Sequence, residues 1–143
     1  MIVLDASAAL ELLLDTPTGE AVRDRVLGAH GRIGAPHLLE VEVGHVLRRY
    51  ERARELTASR AQLALRALED LPLMRYPQTP LLSRMWELRG TYTFYDAAYL
   101  ALAEALAAPL VTCDVKLKAA PGRHRARVEV VRGTQTATKA KKT

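Results

Sequence analysis

The stretch Thr93 to Asp114, reading TFYDAAYLALAEALAAPLVTCD, constrains the fold more than any other part of this chain. Between Asp96 and Asp114, Glu104 is the only charged residue, so the segment reads as a helix buried almost all round, Tyr95 to Ala107, then a short buried strand, Pro109 to Cys113. The helix carries the chain away by roughly 18 Å at ~1.5 Å per residue, and the strand returns it by about 16 Å at ~3.3 Å per residue. Packed antiparallel, as a strand following a helix in an α/β layer is, they bring Asp96 and Asp114 back to the same edge of a sheet. Two carboxylates facing one crevice point to a cation between them.

The rest of the chain supplies the other layers. Ile2 to Leu4 is a β-branched apolar run closed by Asp5, a first buried strand with an acid at its carboxyl end. Ser7 is expected to cap a helix through Leu14, and Thr18 a second helix to about Ala29. Arg32 to Ala35 reads as a second strand closed by Pro36. From His37 a helix places Leu39, Val43, Val46, Leu47 and Tyr50 at spacings of three and four. A further helix, Ser59 to Leu71, has Leu65, Leu68 and Leu71 as inward candidates, and Leu73 to Tyr76 is a third strand. Thr79-Pro80 signals a helix ending near Gly90. A short helix near Val115 to Ala119 and a last strand, Val128 to Val131, follow Asp114. Alternation of strand and helix predicts an α/β fold with a mainly parallel sheet of four to five strands covered on both faces.

With 143 residues, 49% hydrophobic but only 5% aromatic, the chain fits one domain with a core of Leu, Ala and Val, residues 1–132, and a tail, 133–143. The tail is polar, free of acids and without apolar periodicity, and reads as disordered. It also carries much of the net charge: Lys139, Lys141 and Lys142 taken from +5 leave the body at +2. Net charge alone is therefore weak evidence for a polyanionic partner. A single Cys excludes an internal disulfide framework and fits a reducing cytoplasm. The opening MIVLDASAALELLL, interrupted by Asp5 and Glu11, fits a buried strand and helix better than an export or membrane segment.

In an open parallel sheet, ligands gather outside the carboxyl ends of the strands. Asp5 and Asp114 are expected at such ends, Asp96 at a helix start near the same edge, and Glu42 in the early turns of the helix after the second strand. Four carboxylates alone repel one another, and a hard divalent cation, Mg²⁺ or Mn²⁺, removes that conflict. Such an ion can activate a water and neutralise charge on a phosphate, which makes metal-assisted phosphodiester hydrolysis the natural reaction class. A plainer alternative stands beside this one, in which Asp96 and Asp114 simply cap helices.

The opening IVLDASAAL, the segment APHLLEVEVGHVLRR and above all YDAAYLALAEALAAPLVTCD resemble, in order and spacing, the PIN-domain ribonucleases, and most closely the VapC toxins of VapBC toxin–antitoxin pairs. The resemblance implies a PIN-like three-layer fold and Mg²⁺- or Mn²⁺-dependent RNA cleavage, with Asp5, Glu42, Asp96 and Asp114 matching the metal-binding acids. Glu40 competes with Glu42 for its place; Glu42 is chosen because the apolar and basic positions of the family's pattern follow it, which leaves Glu40 as a surface charge. The family often has a further acid just after the position of Asp114. Here Val115-Lys116-Leu117-Lys118 stands instead, which argues against a strong second metal site.

Ser7 and Thr112 are candidate accessories through their hydroxyls, and Cys113 reads as a small core residue rather than a nucleophile. For holding RNA (tRNA, rRNA or mRNA), Lys116 and Lys118 are the nearest cations by sequence, with Arg123, Arg125 and Arg127 as an extension; Arg48, Arg49 and Arg52 form a second candidate track. The resemblance also implies a cognate antitoxin crossing a groove near the acids, a homodimer, and larger toxin–antitoxin assemblies, with no membrane involvement. Leu10, Leu13, Leu14, Val22 and Val26 are candidates for the antitoxin-facing surface, the alternative being that all five are core. Two rival readings are a non-catalytic RNA- or protein-binding module on the same scaffold and a PIN-type RNA-processing nuclease without an antitoxin.

Overall fold

The first strand, β1 (Ile2–Leu4), is wholly buried, as a strand covered on both faces must be. It lies inside a five-stranded, all-parallel sheet in a computed structural model that describes residues 1–118 and 123–133. The other strands are β2 (Ile33–Pro36), β3 (Leu73–Tyr76), β4 (Leu110–Thr112) and β5 (Val128–Val130), in the spatial order β3-β2-β1-β4-β5. Parallel neighbours need crossover connections. Helices α1 (Ala6–Leu13) and α2 (Pro17–Gly28) join β1 to β2; α3 (Leu38–Arg52) and α4 (Ala58–Asp70) join β2 to β3. The chain then crosses back through α5 (Leu82–Leu88) and α6 (Phe94–Leu106) to place β4 on the other side of β1. Strand order therefore reverses between β1 and β4, and that reversal opens a crevice at their carboxyl ends.

Helix α6 packs on β1, β2 and β4, and every side chain from Ala97 to Ala103 is buried, as expected of its apolar sequence. Thr93 caps it, accepting the Asp96 N–H at 3.1 Å, so Asp96 sits in the first turn and not at the cap. The chain enters β4 through Ala107, a non-glycine residue in the left-handed region at φ 49°. Helices α1 and α2 approach so closely that a Cβ on Gly19 would stand 2.1 Å from the Glu11 carbonyl oxygen. No helix among the described residues is long and apolar enough to cross a membrane.

Several expected details differ. Asp5, not Ser7, caps α1, because the helix starts directly after β1 and the Asp5 carboxylate reaches the Ala8 N–H at 3.0 Å. Thr16, not Thr18, caps α2, with Pro17 at the first helical position. Thr79-Pro80 opens a 3₁₀ turn, Thr79–Leu81, without a side-chain cap. In α4 the inward residues are Ala64 and Leu68, while Leu65 is exposed. Leu10, Leu13, Val22 and Val26 are buried in the core, and Leu14 packs partly against it, so of the two readings of these residues the core one holds and the antitoxin-facing one does not. The turn after Asp114 is a 3₁₀ helix, Val115–Lys118; Ala119 lies outside the described residues. Gly133 N–H donates to Thr18 Oγ1 at 3.1 Å, and the remainder of the expected tail, 134–143, is also outside the described residues.

Candidate active site

At the crevice between β1 and β4, Asp5 is 6% exposed and its carboxylate is held from three sides. Oδ1 accepts the Ser7 hydroxyl at 2.7 Å and the Ala8 N–H, and Oδ2 accepts the Thr112 hydroxyl at 2.5 Å. Each hydroxyl has one proton, and both protons point at Asp5, so the 3.2 Å between Ser7 Oγ and Thr112 Oγ1 is a packing distance. The hydroxyl oxygens accept in turn: Ser7 from Cys113 N–H at 2.9 Å and Thr112 from Asp114 N–H at 3.0 Å. Ser7 and Thr112 thus fix Asp5 and the β4 exit together. Burial raises the Asp5 pKa despite these three donors, and the nearby charge of Asp96 adds to the rise.

Asp5, Glu42, Asp96 and Asp114 all line one cleft of about 420 Å³. Asp96 is raised by burial and by Asp114, against the lowering influence of Thr93 and Lys116. Asp114 uses Oδ1 to accept the Lys116 N–H at 2.9 Å, so it also serves the turn that follows, as the plainer alternative expects. Glu42 reaches the cleft from α3. Its carboxyl is raised by burial and by the charges of Asp5 and Asp96, and Oε1 is buried without a hydrogen-bond partner within normal geometry. Glu40 instead points at Arg75 as an ion pair on the outside of the fold.

Two residues of the cleft were not singled out by sequence. Tyr99, three positions after Asp96 on α6, buries its hydroxyl beside Glu42, where it holds the carboxyl down, and its own pKa is driven strongly up by burial and then by Glu42. Its only sequence signal is an aromatic ring in an Ala/Leu helix one turn after the acid. Glu11 is a fifth carboxylate on the wall, and it accepts the Thr16 hydroxyl. Cys113 also lines the cleft, with its thiol pushed up to about 11 by burial and then by Asp5 and Glu11, which keeps it from being a thiolate nucleophile at neutral pH.

Of the expected RNA-contact cations, Arg49 lines the cleft and Lys116 lies close enough to Asp96 to lower its pKa. Arg48 and Lys118 are exposed and do not line it. Arg125 and Arg127 belong elsewhere. They precede β5, which runs parallel to β4, and so stand at the amino edge of the sheet, lining a hollow with Ala107, Ala108 and Pro109. Sequence distance from Lys118 points to the wrong edge, because the chain returns to the amino end of the sheet before β5 starts parallel to β4. Glu104 is held there by Arg84 in a two-pronged pair at 2.7 and 2.9 Å.

A model of the PIN domain matches residues 2–123. Ribonuclease VapC12 of Mycobacterium tuberculosis is 41% identical over 131 residues, covering 92% of this chain and 99% of that protein. The chain belongs to the PIN-domain family, in its VapC branch. Ribonuclease VapC1 of the same organism is 46% identical to this PIN domain over 121 residues, 84% of this chain and 90% of the relative. The crystal structure of PAE2754 from Pyrobaculum aerophilum matches the PIN fold with a TM-score of 0.66 at 26% identity, covering 91% of this chain and 83% of that one. VapBC2 from Rickettsia felis, solved bound to a DNA fragment from its promoter, shares the fold at TM-score 0.69 and 15% identity, covering 92% and 100%.

Proposed function

We propose that this VapC-type PIN domain is an endoribonuclease toxin that hydrolyses RNA phosphodiester bonds with a divalent cation, Mg²⁺ or Mn²⁺, held by Asp5, Glu42, Asp96 and Asp114. The observation that carries the reading is the convergence of four carboxylates, from β1, α3, α6 and the end of β4, on one cleft at the strand-order reversal. The relatives named as VapC ribonucleases support the same activity.

The donor set fits such an ion. It is all oxygen, three of its carboxyls are raised by burial and mutual repulsion that a cation would relieve, and Glu42 Oε1 is buried beside the Tyr99 hydroxyl with no hydrogen bond of normal geometry. Among the described residues no group of three or more Asp, Glu, His or Cys side chains is placed to hold a metal ion, so an ion in the cleft of about 420 Å³ requires these carboxylates to draw together or to reach it through retained waters. Bound there, it supplies charge neutralisation for the phosphodiester and lowers the pKa of water. Asp5 is pre-oriented by Ser7, Ala8 and Thr112. Arg49 and Lys116 flank the acids with positive charge for the RNA backbone. A cognate antitoxin and a homodimer, alone or within a larger toxin–antitoxin assembly, belong to this reading through the VapC relatives, as does a cytoplasmic site of action.

The test incubates purified protein with total RNA and Mn²⁺ or Mg²⁺, with and without chelator, beside Asp96→Asn. Discrete cuts that disappear in the chelator and variant lanes are expected. Equal cleavage by the variant would sink the site assignment, and no cleavage of any RNA would favour a binding module.

A further inference from the structure

Beside the acid cleft lies a second pocket of about 450 Å³, lined by Val41, Glu42, His45, Val46 and Tyr95. Glu42 and Val46 line both, so the pocket and the cleft share a wall. Positions 41, 42, 45 and 46 form one face of α3, and Tyr95 comes from the first turn of α6, next to Asp96. Two of its apolar members are not core, Val41 at 75% and Tyr95 at 64% exposed, while Val46 packs partly against the core. An open aromatic face, two branched aliphatic side chains and an imidazole, next to the acids, need a flat, partly apolar occupant with polar edges.

We propose that this pocket takes one unstacked nucleobase of the RNA, adjoining the phosphate that sits at the acids, with Tyr95 as the stacking face, Val41 and Val46 as the apolar wall and His45 at the base edge. The inference rests on the ribonuclease reading above, because continuity with the acid cleft is what selects a nucleobase over a protein side chain. Single-stranded RNA is recognised by splaying bases onto aromatic rings, and such stacking tolerates any base because each has a π-face. A base stacked in the helix of a duplex cannot enter, so the pocket directs cleavage to unpaired segments.

The test compares kcat/KM of the full chain with Mn²⁺, as wild type, Tyr95→Ala and Tyr95→Phe, on a short single-stranded RNA that the wild type cuts and on the same RNA with an abasic nucleotide on either side of the cut. Tyr95→Ala is expected to lose on the order of ten- to hundredfold on the intact RNA, the size of one base–aromatic stack, while Tyr95→Phe stays close to wild type. Removing the correct base should cost the wild type a similar factor and cost Tyr95→Ala almost nothing more, because both changes delete one contact. Losses that multiply, or a Tyr95→Ala enzyme that cuts intact RNA as the wild type does, overturn the pocket while leaving the ribonuclease reading intact. A change of oligomeric state with Tyr95→Ala in sedimentation at the assay concentration also overturns it and assigns the surface to a second copy. A wild type that cuts no RNA removes both.

Discussion

Thr112 gives its hydroxyl to the carboxylate of Asp5, joining two residues 107 positions apart at the adjoining ends of β4 and β1. The same oxygen accepts the Asp114 N–H, so one side chain positions an acid on each side of the crevice. Thr112→Val keeps the shape and removes both bonds. It should destabilise the protein by about 1–3 kcal/mol, the cost of leaving a buried acceptor unsatisfied. Cleavage should fall about 10–100-fold, as when an outer partner of a metal-site ligand is lost. Thr112→Ser should recover most of both, read by thermal denaturation and RNA cleavage.

Burial and mutual repulsion give the site its own pH dependence. Asp5, Glu42 and Asp96 have raised pKa values in the cation-free fold, whereas the unfolded chain ionises them in the ordinary range. The folded state holds more protons between those values, so this contribution to stability is complete below the unfolded range and is lost as pH rises through the folded values. Glu104 and Glu129 work in the opposite sense, since their arginine partners hold them low. The difference between wild type and Asp96→Asn isolates the acid. In chelator, the variant should gain on the wild type as pH rises from about 4 to 8, the range that starts at the ordinary carboxylate pKa, and melt a few degrees higher at neutral pH. Added Mn²⁺ should reverse the order.

The ion pair at the far edge of the sheet concerns stability alone. Glu104 has a side chain 7% exposed; burial would raise its pKa, but Arg84 and the Arg125 N–H outweigh that and lower it. Arg84→Ala strands this carboxylate and should cost about 3 kcal/mol, seen as a lower urea midpoint with unchanged slope. Cleavage per folded molecule should not change. Arg84→Met with Glu104→Leu should recover much of the loss.

How much of this was legible in the sequence depends on whether the signal was local. The β-α alternation and the apolar run from Ala97 to Leu110 are local patterns, and they carried the sheet, its parallel strands and the fold of α6 onto β4. Asp5, Asp96 and Asp114 stood out because each falls at an element boundary next to a buried run, and Glu42, inside α3, by its match to the family's pattern. Glu42 and Glu40 are two positions apart on one helix and face different ways, and only Glu42 reaches the cleft. Features set by tertiary placement were not legible. Tyr99 looks like one more core residue until its hydroxyl is found beside Glu42. The pocket at Tyr95 needs two helices to exist. Leu10, Leu13, Val22 and Val26 looked surplus to a small core, yet the close α1–α2 pair buries them.

Calorimetric titration of Mn²⁺ into chelator-treated protein tests the four-acid cation site most directly, with wild type beside Asp5→Asn, Glu42→Gln, Asp96→Asn and Asp114→Asn, and Glu40→Gln as control. Uptake by the wild type and by Glu40→Gln, weakened at least about tenfold by each of the other four changes, is the expected result. No uptake by the wild type, or the same affinity in all six proteins, would contradict a cation held by Asp5, Glu42, Asp96 and Asp114.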